Sequence, residues 1–257
     1  KTTGFELQAK WSDKLANGFS YSVGVALSDD KAKVVSYPSN PTNKIGDGVL
    51  YKGYTVGDIW GYVTGGILQE GDFDGVGANG KPLYHGPYFK GGQAYPGYVW
   101  YKDLDNDGVI TSGLSTVGDP GDRKVIGNNS PRYRYNVTAN FQYKGFDLDL
   151  MFQGVGKRDY WLSSVSSYWG NGAGSWETYN NSWTPERTDA KFPMYGSGLG
   201  SYAQTGYLLD ASYIKLKQVI LGYTFPKMLI NKIGLQKLRL NVAAYNLFTI
   251  SDMPKYY

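Results

Sequence analysis

The stretch that decides the fold is Arg132–Tyr143, which reads RYRYNVTANFQY. Its odd-numbered positions carry Tyr, Tyr, Val, Ala, Phe and Tyr, whereas its even-numbered positions carry Arg, Arg, Asn, Thr, Asn and Gln. Successive side chains of a β-strand point to opposite faces, so the stretch predicts a strand with one apolar and one polar face. Two environments favour such a strand: an antiparallel sheet of a soluble protein, and a transmembrane β-barrel with lipid outside and a wet lumen inside.

The same alternation recurs in four other segments, at residues 5–11, 19–27, 146–152 and 238–244. These runs approach the roughly 9–11 residues with which a tilted strand crosses the hydrocarbon of a bilayer. Residues 213–225 change parity part-way, because Ile214 and Leu216 share one parity whereas Val219 and Leu221 share the other. We therefore predict a β-bulge near residues 217–218, since one extra residue reverses the faces of a strand.

The composition argues against several classes of protein. The 257 residues include no cysteine and a single histidine, His85, which leaves no disulfide or thiolate metal site and argues against multi-histidine zinc sites and Ser-His-Asp catalysis. The formal net charge of +4 is scattered along the chain, so no basic stripe for nucleic acid is expected. No apolar run approaches ~18 residues, so no transmembrane helix is expected. For want of a credible nucleophile, base or metal triad, we do not expect an enzyme.

Short turns alternate with long loops along the chain. We expect strands at about residues 4–28, 132–155 and 211–248, long loops at 29–130 and 156–206, and a short helix around 55–62. Structureless loops longer than about 15 residues are uncommon in compact domains, whereas outer-membrane barrels combine short periplasmic turns with long extracellular loops. The pattern favours an all-β fold, an antiparallel transmembrane β-barrel segment with long extracellular loops. A soluble β-sandwich remains the alternative.

A series of short motifs, spread in order over nearly the whole chain, resembles a known family. The motifs lie at residues 17–24 (NGFSYSVG), 57–62 (GDIWGY), 101–110 (YKDLDNDGVI), 122–127 (DRKVIG), 183–186 (WTPE), 210–217 (DASYIKLK), 221–226 (LGYTFP) and 245–249 (YNLFT). Together they resemble the C-terminal part of the SusC/RagA family of TonB-dependent outer-membrane transporters of Bacteroidetes. The plug domain and the final strands of that family are not recognisable here, so we expect residues 1–257 to be the C-terminal portion of a large plugged barrel.

The resemblance implies a function and a set of partners. It implies import of oligosaccharides or peptides across the outer membrane, with energy supplied by TonB through a region outside this chain. It also implies a SusD-like surface lipoprotein over the extracellular loops, contact with outer-membrane lipid, no nucleic-acid partner and no required cofactor. The other hypothesis that the residues leave open is a soluble β-sandwich module that binds glycans without catalysis.

Residues 103–110 (DLDNDGVI) match the first eight positions of an EF-hand-type calcium loop. Carboxylates at alternate positions can converge on one hard cation. The candidate ligands are Asp103, Asp105 and Asp107. The twelfth position, which needs a bidentate acid, is Leu114, so Asp119 or Asp122 would have to replace it. The sequence leaves two interpretations open, a Ca²⁺ site and a solvated loop of Asx turns.

Two further sets of residues are candidates for contact with substrate or partners. The loop at 156–206 carries tryptophans flanked by Asn and Ser, which is how proteins stack sugar rings, although such indoles also pack loops or rim a membrane. These are Trp161, Trp169, Trp176 and Trp183. Basic residues on candidate lumen faces either line a transport path or pair with acids of the plug, because an unpaired buried charge is costly. They include Arg132, Arg134, Lys237 and Arg239.

Overall fold

The computed structural model describes residues 1–161, 176–197 and 202–253, without the side chain of Glu177. The strands of these ranges are, in chain order, β1 (Thr2–Lys14), β2 (Ser20–Ala32), β3 (Asp58–Tyr62), β4 (Thr64–Ile67), β5 (Phe73–Val76), β6 (Pro82–Tyr84), β7 (Tyr88–Phe89), β8 (Val99–Tyr101), β9 (Val109–Ile110), β10 (Arg123–Asn128), β11 (Arg132–Tyr143), β12 (Phe146–Lys157), β13 (Asp159–Tyr160), β14 (Leu209–Asp210), β15 (Tyr213–Thr224) and β16 (Arg239–Ser251). Two short α-helices accompany them, α1 (Trp176–Asn180) and α2 (Lys227–Ile230). Within these ranges, no helix has the length and the apolar character that a membrane span requires.

The six long strands form one antiparallel sheet in the order β1-β2-β11-β12-β15-β16. The sheet is built from three successive hairpins, closed by residues 15–19, 144–145 and 225–238, and the long loops connect one hairpin to the next. The hairpins coincide with the segments that the alternation predicts. Their strands continue further than expected, to Ala32 rather than 28, to Lys157 rather than 155 and to Ser251 rather than 248.

The pairing register separates an apolar face from a polar face. Val137 of β11 lies opposite Val25 of β2 and Phe152 of β12, whereas the next residue, Thr138, lies opposite Gly24 and Met151. Five successive rows of the apolar face pass through Tyr135, Val137, Ala139, Phe141 and Tyr143 of β11. The alternation read from the sequence is therefore maintained across neighbouring strands.

Polar side chains of the other face bond to one another across strands. The Ser22 hydroxyl of β2 donates a hydrogen bond to Asn140 Oδ1 of β11 at 2.9 Å. The amide nitrogen of Asn140 donates to Asp149 Oδ1 of β12. Because these polar groups are hydrogen-bonded to one another, they need no further partner from outside the sheet.

The predicted β-bulge is present in β15. On the β12 side, Met151 pairs with Gln218 and Phe152 with Leu216, so Lys217 has no partner. On the β16 side, Leu216 pairs with Phe248 and Gln218 with Tyr245, which leaves two residues of β16 opposite one residue of β15. One of these two is Asn246, which has a φ of 53°. The bulge keeps the apolar side chains of β15 on one face despite the change of parity.

Aromatic rings gather at the end of the sheet where the short turns lie. On the apolar face, the rings of Phe19 and Phe141 are 6.2 Å apart, centroid to centroid. Further along, the ring of Tyr223 lies 4.5 Å from that of Phe146 and 4.9 Å from that of Phe225. Such a row of rings at one level of a sheet is typical of the membrane interface of a barrel.

The two long loops of the prediction contain regular structure. Residues 58–62, which lie in the segment predicted to be helical, form strand β3 and pair with β10. That prediction was wrong because Ile59, Trp60 and Tyr62 favour extended backbone, and tertiary pairing decided the outcome. Two small buried clusters hold this region together. They are Tyr62, Val99, Tyr101 and Ile110, and Ile45, Tyr51 and Tyr54.

The two outer edges of the sheet are open in the described part of the chain. Neither the outer side of β1 nor that of β16 is paired with another strand there, and every residue of β1 is exposed. The expected all-β, antiparallel fold is confirmed, and the closure of a barrel is not observed within the described residues. Unpaired edges of this length are ready to accept further strands.

Candidate functional site

A cleft of about 1280 Å³ opens among the folded loops. Strand β3 provides one wall, and further walls come from the segment before β3, from residues 110–115 and from the chain that follows β13. Aromatic rings line much of the cleft, among them Tyr54, Trp60, Tyr62, Phe89, Trp161 and Tyr202. Rings with polar tips can contact the apolar face of a sugar or a peptide side chain and still offer hydrogen bonds.

The aromatic wall is held by contacts between the rings themselves. The ring of Tyr62 lies 5.4 Å from that of Phe89 and 5.8 Å from that of Tyr202, and Phe89 and Tyr202 are 5.2 Å apart. Trp60 Nε1 donates a hydrogen bond to the Tyr51 hydroxyl at 2.9 Å. Burial raises the pKa of Tyr62 above its ordinary value, so the phenol stays neutral and available as a hydrogen-bonding group near neutral pH.

Charged groups in the cleft are bound to neutral partners. Arg123 Nη2 donates to the Ser112 carbonyl oxygen at 2.9 Å and to Ser115 Oγ at 3.0 Å. Asp58 accepts a hydrogen bond from the Asn128 side-chain amide at 2.8 Å. Neither Arg123 nor Asp58 forms an ion pair with another of the described residues. The cleft therefore offers charges of both signs to a polar ligand.

The four predicted tryptophans lie in different environments. Trp161 lines the cleft, and Trp176 on α1 is exposed, with its ring 5.9 Å from that of Tyr179. Trp183 is only 3% exposed, and its Nε1 donates to Gln69 Oε1 at 2.9 Å, which favours packing over contact with substrate. Trp169 lies outside the described residues.

An acidic triad lies in the loop between β8 and β10. One carboxylate oxygen from each of Asp103, Asp105 and Asp122 lies within 4.8 Å of the other two. Asp122 is fully buried and accepts the backbone N–H groups of Leu104 and Thr111, both at 2.7 Å. Three oxygens at such separations fit around one cation whose bonds to oxygen are about 2.3–2.6 Å. The predicted acidic loop thus contains a set of carboxylates that can hold a metal ion.

The triad differs from the predicted ligand set at one position. Asp107 is not a member, and its Oδ1 accepts the backbone N–H of Val109 at 2.8 Å. Asp103 accepts the N–H groups of Asn106 at 2.6 Å and Gly108 at 2.8 Å, and Gly108 makes the sharp turn with a φ of 84°. Asp122, one of the two acids expected to replace the twelfth-position ligand, joins the triad because the chain returns to this loop at the start of β10.

The carboxyl groups of the loop have opposite pKa shifts. Removal from water raises the pKa of Asp105, and the negative charges of Asp122 and Asp107 add to this rise. Removal from water also acts to raise the pKa of Asp103, but the N–H groups that it accepts hold the pKa below its ordinary value of 3.8. The repulsion at Asp105 is the kind that a bound cation or a proton relieves.

At the long-loop end of the sheet, the predicted lumen arginines form ion pairs within the sheet. Arg132 binds the buried Asp29 through two parallel hydrogen bonds, each 2.5 Å long. Arg134 pairs with Asp30. Both acids belong to the neighbouring strand β2, so these arginines do not depend on acids of another domain for neutralisation.

At the other end of the sheet, Arg239 forms an ion pair whereas Lys237 lies outside the strands. Arg239, the first residue of β16, pairs with Asp147 of β12 across the intervening strand β15. The pair passes over Gly222, where an added Cβ would lie 2.5 Å from both Arg239 Nη2 and Asp147 Oδ2. Lys237 lies in the turn before β16 and is exposed rather than on a strand face.

Sequence reasoning missed most of the cleft. Trp60 and Tyr62 belong to the motif at 57–62, which is one of those that carry the family resemblance. This motif is the sequence feature from which their place in a site could have been predicted. Phe89, Arg123 and Tyr202 lie far from them in sequence and show no periodic pattern that would connect them.

Comparison with known proteins identifies relatives. No protein-family model matches the chain. The chain is 28% identical to TonB-dependent receptor P3 of Formosa agariphila over 264 aligned residues, which cover 98% of this chain and 24% of that receptor. The chain is a homologue of TonB-dependent receptors. TonB-dependent receptor P39 of the same organism aligns at 23% identity over 93% of the chain and 25% of its own length.

Two solved structures have the same fold as the present chain. The RagAB peptide importer in its open-open state matches with a TM-score of 0.68 at 17% identity, over 98% of this chain and 25% of that chain. A second structure, of the RagAB peptide transporter, matches with a TM-score of 0.63 at 18% identity over 26% of its chain. The chain therefore spans about a quarter of the length of the proteins that it matches.

The homology confirms three expectations from the sequence. The resemblance to TonB-dependent transporters extends over nearly the whole chain. TonB-dependent receptors are outer-membrane proteins, which agrees with the expected location. The relatives are described as receptors, importers and transporters, which agrees with the expectation that the chain is not an enzyme.

Proposed function

We propose that this chain forms part of the barrel wall and the extracellular loops of a TonB-dependent importer of the SusC/RagA type. Its open edges, β1 and β16, pair with further strands of the complete receptor, which closes into a plugged barrel of about 22 strands. The apolar face of the sheet contacts lipid, and the polar face lines the lumen. Energy arrives from TonB through a region outside this chain.

The exposure of the apolar face supports this proposal over a soluble β-sandwich. In a sandwich, a second sheet packs about 10 Å from the first and buries its apolar face. Here the apolar face carries Trp11 at 68%, Leu221 at 51% and Val242 at 74% exposure. An exposed apolar surface of this kind marks a site of interaction with protein or membrane, or a liability to aggregate. Lipid against this face and water against the other account for the apolar side chains of the one and the polar side chains of the other.

The proposed substrate is an oligosaccharide or a peptide that contacts the cleft, under a SusD-like lipoprotein. The aromatic wall around Trp60 and Trp161 supports this, because rings contact sugar faces and peptide side chains alike. The relatives with solved structures are described as peptide importers and transporters. The cleft lies among the long loops, which are extracellular in barrels of this kind.

Uptake by cells tests the proposed function. The complete receptor, expressed with the lipoprotein, is expected to support uptake of labelled oligosaccharides or peptides only when TonB is present. Trp161→Ala is expected to reduce this uptake, and Trp176→Ala, on the exposed helix α1, is the matched control. Uptake that continues after deletion of the TonB gene would contradict the importer proposal.

We also propose that the acidic triad binds Ca²⁺. The three carboxylates fit a hard cation by charge and by spacing, and the buried Asp122 provides a fixed point for the loop. In the complete receptor, Asp105→Ala is expected to abolish protection by calcium of the loop around Gly108 from proteolysis. Asp107→Ala, two residues along the same loop and outside the triad, is expected to retain it. No effect of calcium in the unaltered receptor would exclude the site.

A further inference from the structure

The turn between β15 and β16 presents an unusual apolar surface. Helix α2 and the following 3-10 turn, Asn231–Ile233, form a compact unit in this turn. Met228 is 77% exposed, Leu229 53% and Ile233 67%, whereas Ile230 between them is 3% exposed. One side of the unit is therefore anchored on the protein while the other side directs large apolar side chains outward.

This surface belongs to an ordered unit. The N–H of Leu235 donates to the Ile230 carbonyl oxygen at 3.1 Å, and the N–H of Leu229 donates to the Pro226 carbonyl oxygen at 3.0 Å. The N–H of Phe225 donates to the Leu238 carbonyl oxygen at 3.0 Å, which closes the base of the turn. Because hydrogen bonds fix the backbone, the outward direction of the apolar side chains is a property of the fold.

The same segment has charge of one sign. Residues 226–238 contain three lysines and no acidic residue. The lysines are Lys227, Lys232 and Lys237. None of them forms a salt bridge among the described residues. Apolar side chains surrounded by unpaired lysines are the combination that binds an anionic lipid surface, where each lysine near the surface adds to the attraction.

The position of the turn brings this surface to the level of lipid headgroups. Phe225, directly before the turn, continues the row of aromatic rings at the short-turn end of the apolar face. Aromatic rows of this kind mark the membrane interface. The other short turns of the sheet, at residues 15–19 and 144–145, have no comparable helical unit.

We propose that residues 226–238 form a membrane anchor on the periplasmic side of the outer membrane. Met228, Leu229 and Ile233 enter the boundary between headgroups and acyl chains, and the three lysines contact phosphates of anionic phospholipids. The proposal rests on the proposed barrel placement of the sheet, and it adds a lipid-binding role for a turn outside the wall itself.

Fluorescence quenching in lipid nanodiscs tests the anchor. The complete receptor, with any cysteine of its remaining chain replaced, carries an environment-sensitive dye at Met228→Cys. Dyes at Ala139→Cys on the apolar face and at Asn17→Cys in the β1-β2 turn provide the comparison. In discs that contain phosphatidylglycerol and doxyl-labelled lipid, we expect quenching and a blue shift at position 228, as at position 139, and neither at position 17.

Charge removal provides the second measurement. Lys227→Gln, Lys232→Gln and Lys237→Gln together are expected to reduce the quenching at position 228 in anionic discs. In discs of phosphatidylcholine alone, the same changes are expected to have little effect. Equal quenching with and without the lysines in anionic discs would overturn the role of the anionic headgroups.

The outcomes separate the anchor from the barrel placement. Quenching at position 139 together with a water-exposed dye at position 228 would overturn the anchor alone. A dye at position 228 that is shielded from water but not quenched by lipid would also overturn it, since another part of the receptor then covers the turn. Absence of quenching at position 139 would refute the placement of the sheet in lipid, on which the anchor depends.

Discussion

An arginine at Ala139 is the most direct test of the two faces of the sheet. Ala139 lies in the middle of the five apolar rows and pairs with Val23 on one side and Leu150 on the other. Because alanine is small, Ala139→Arg adds a charge without removing a large side chain that packs. The neighbouring Thr138 points to the polar face, opposite Gly24, and Thr138→Arg is the matched control.

The expected loss of folding free energy depends on how deep the residue lies in the proposed bilayer. Rows are about 6.8 Å apart along a strand, which is about 5 Å along the membrane normal at a tilt of about 40°. The four steps from Tyr135 to Tyr143 therefore span about 20 Å, and Ala139 lies about 10 Å from either end. An arginine on the lipid face costs about 2–4 kcal/mol at the midplane and about 0–1 kcal/mol near the interface. The midplane cost corresponds to a roughly 30- to 900-fold change in the folding equilibrium.

Folding of the complete receptor into lipid vesicles, measured by urea titration and by heat-modifiable migration in gels, provides the assay. We expect a large loss of folded receptor for Ala139→Arg, a small loss for Tyr143→Arg at the aromatic end, and normal assembly for Thr138→Arg. Equal damage at positions 138 and 139 would refute the assignment of faces. Equal damage at positions 139 and 143 would refute the assigned depth.

Three further predictions concern the loops and the polar face. Protection of the acidic loop by calcium is expected to weaken as the pH falls, because the raised pKa of Asp105 moves the protonation of this ligand closer to neutral pH; a Ca²⁺ titration at several pH values checks this, and an affinity independent of pH down to about 4 would contradict it. Asp147→Asn and Arg239→Gln, singly and together, are expected to show a small favourable coupling in urea titrations, since both side chains are partly exposed and water screens the pair; additive effects would show that the pair contributes no stability. Trp183→Ala is expected to destabilise the loop region by about 3–5 kcal/mol through loss of a buried ring, and limited proteolysis that leaves this region as resistant as before would be inconsistent with its burial.

The sequence predicted the sheet well because alternation is a local property. A strand with one apolar and one polar environment must place apolar side chains at every second position, and Arg132–Tyr143 shows this in full. The bulge at Lys217 was predictable for the same reason, since a change of parity within one strand has few other physical causes.

The loops were less predictable because distant residues assemble them. The sequence predicts a helix at residues 55–62, whereas pairing with β10 gives β3 an extended conformation. Asp122 joins Asp103 and Asp105 only because its buried carboxylate receives N–H groups from Leu104 and Thr111. The rings of the cleft come from separate loops, and contacts of this kind leave no periodic signal in the sequence.

The bulges of β15 and β16 have a consequence for the shape of the wall. Each bulge adds one residue to its strand relative to the preceding neighbour, and both occur at the same height, beside Leu216 and Gln218. An added residue bends its strand and increases the local twist. Two adjacent strands that bend together give the sheet a corner at this point. In the proposed barrel, such a corner would move the circumference away from a circle without any change in the number of strands.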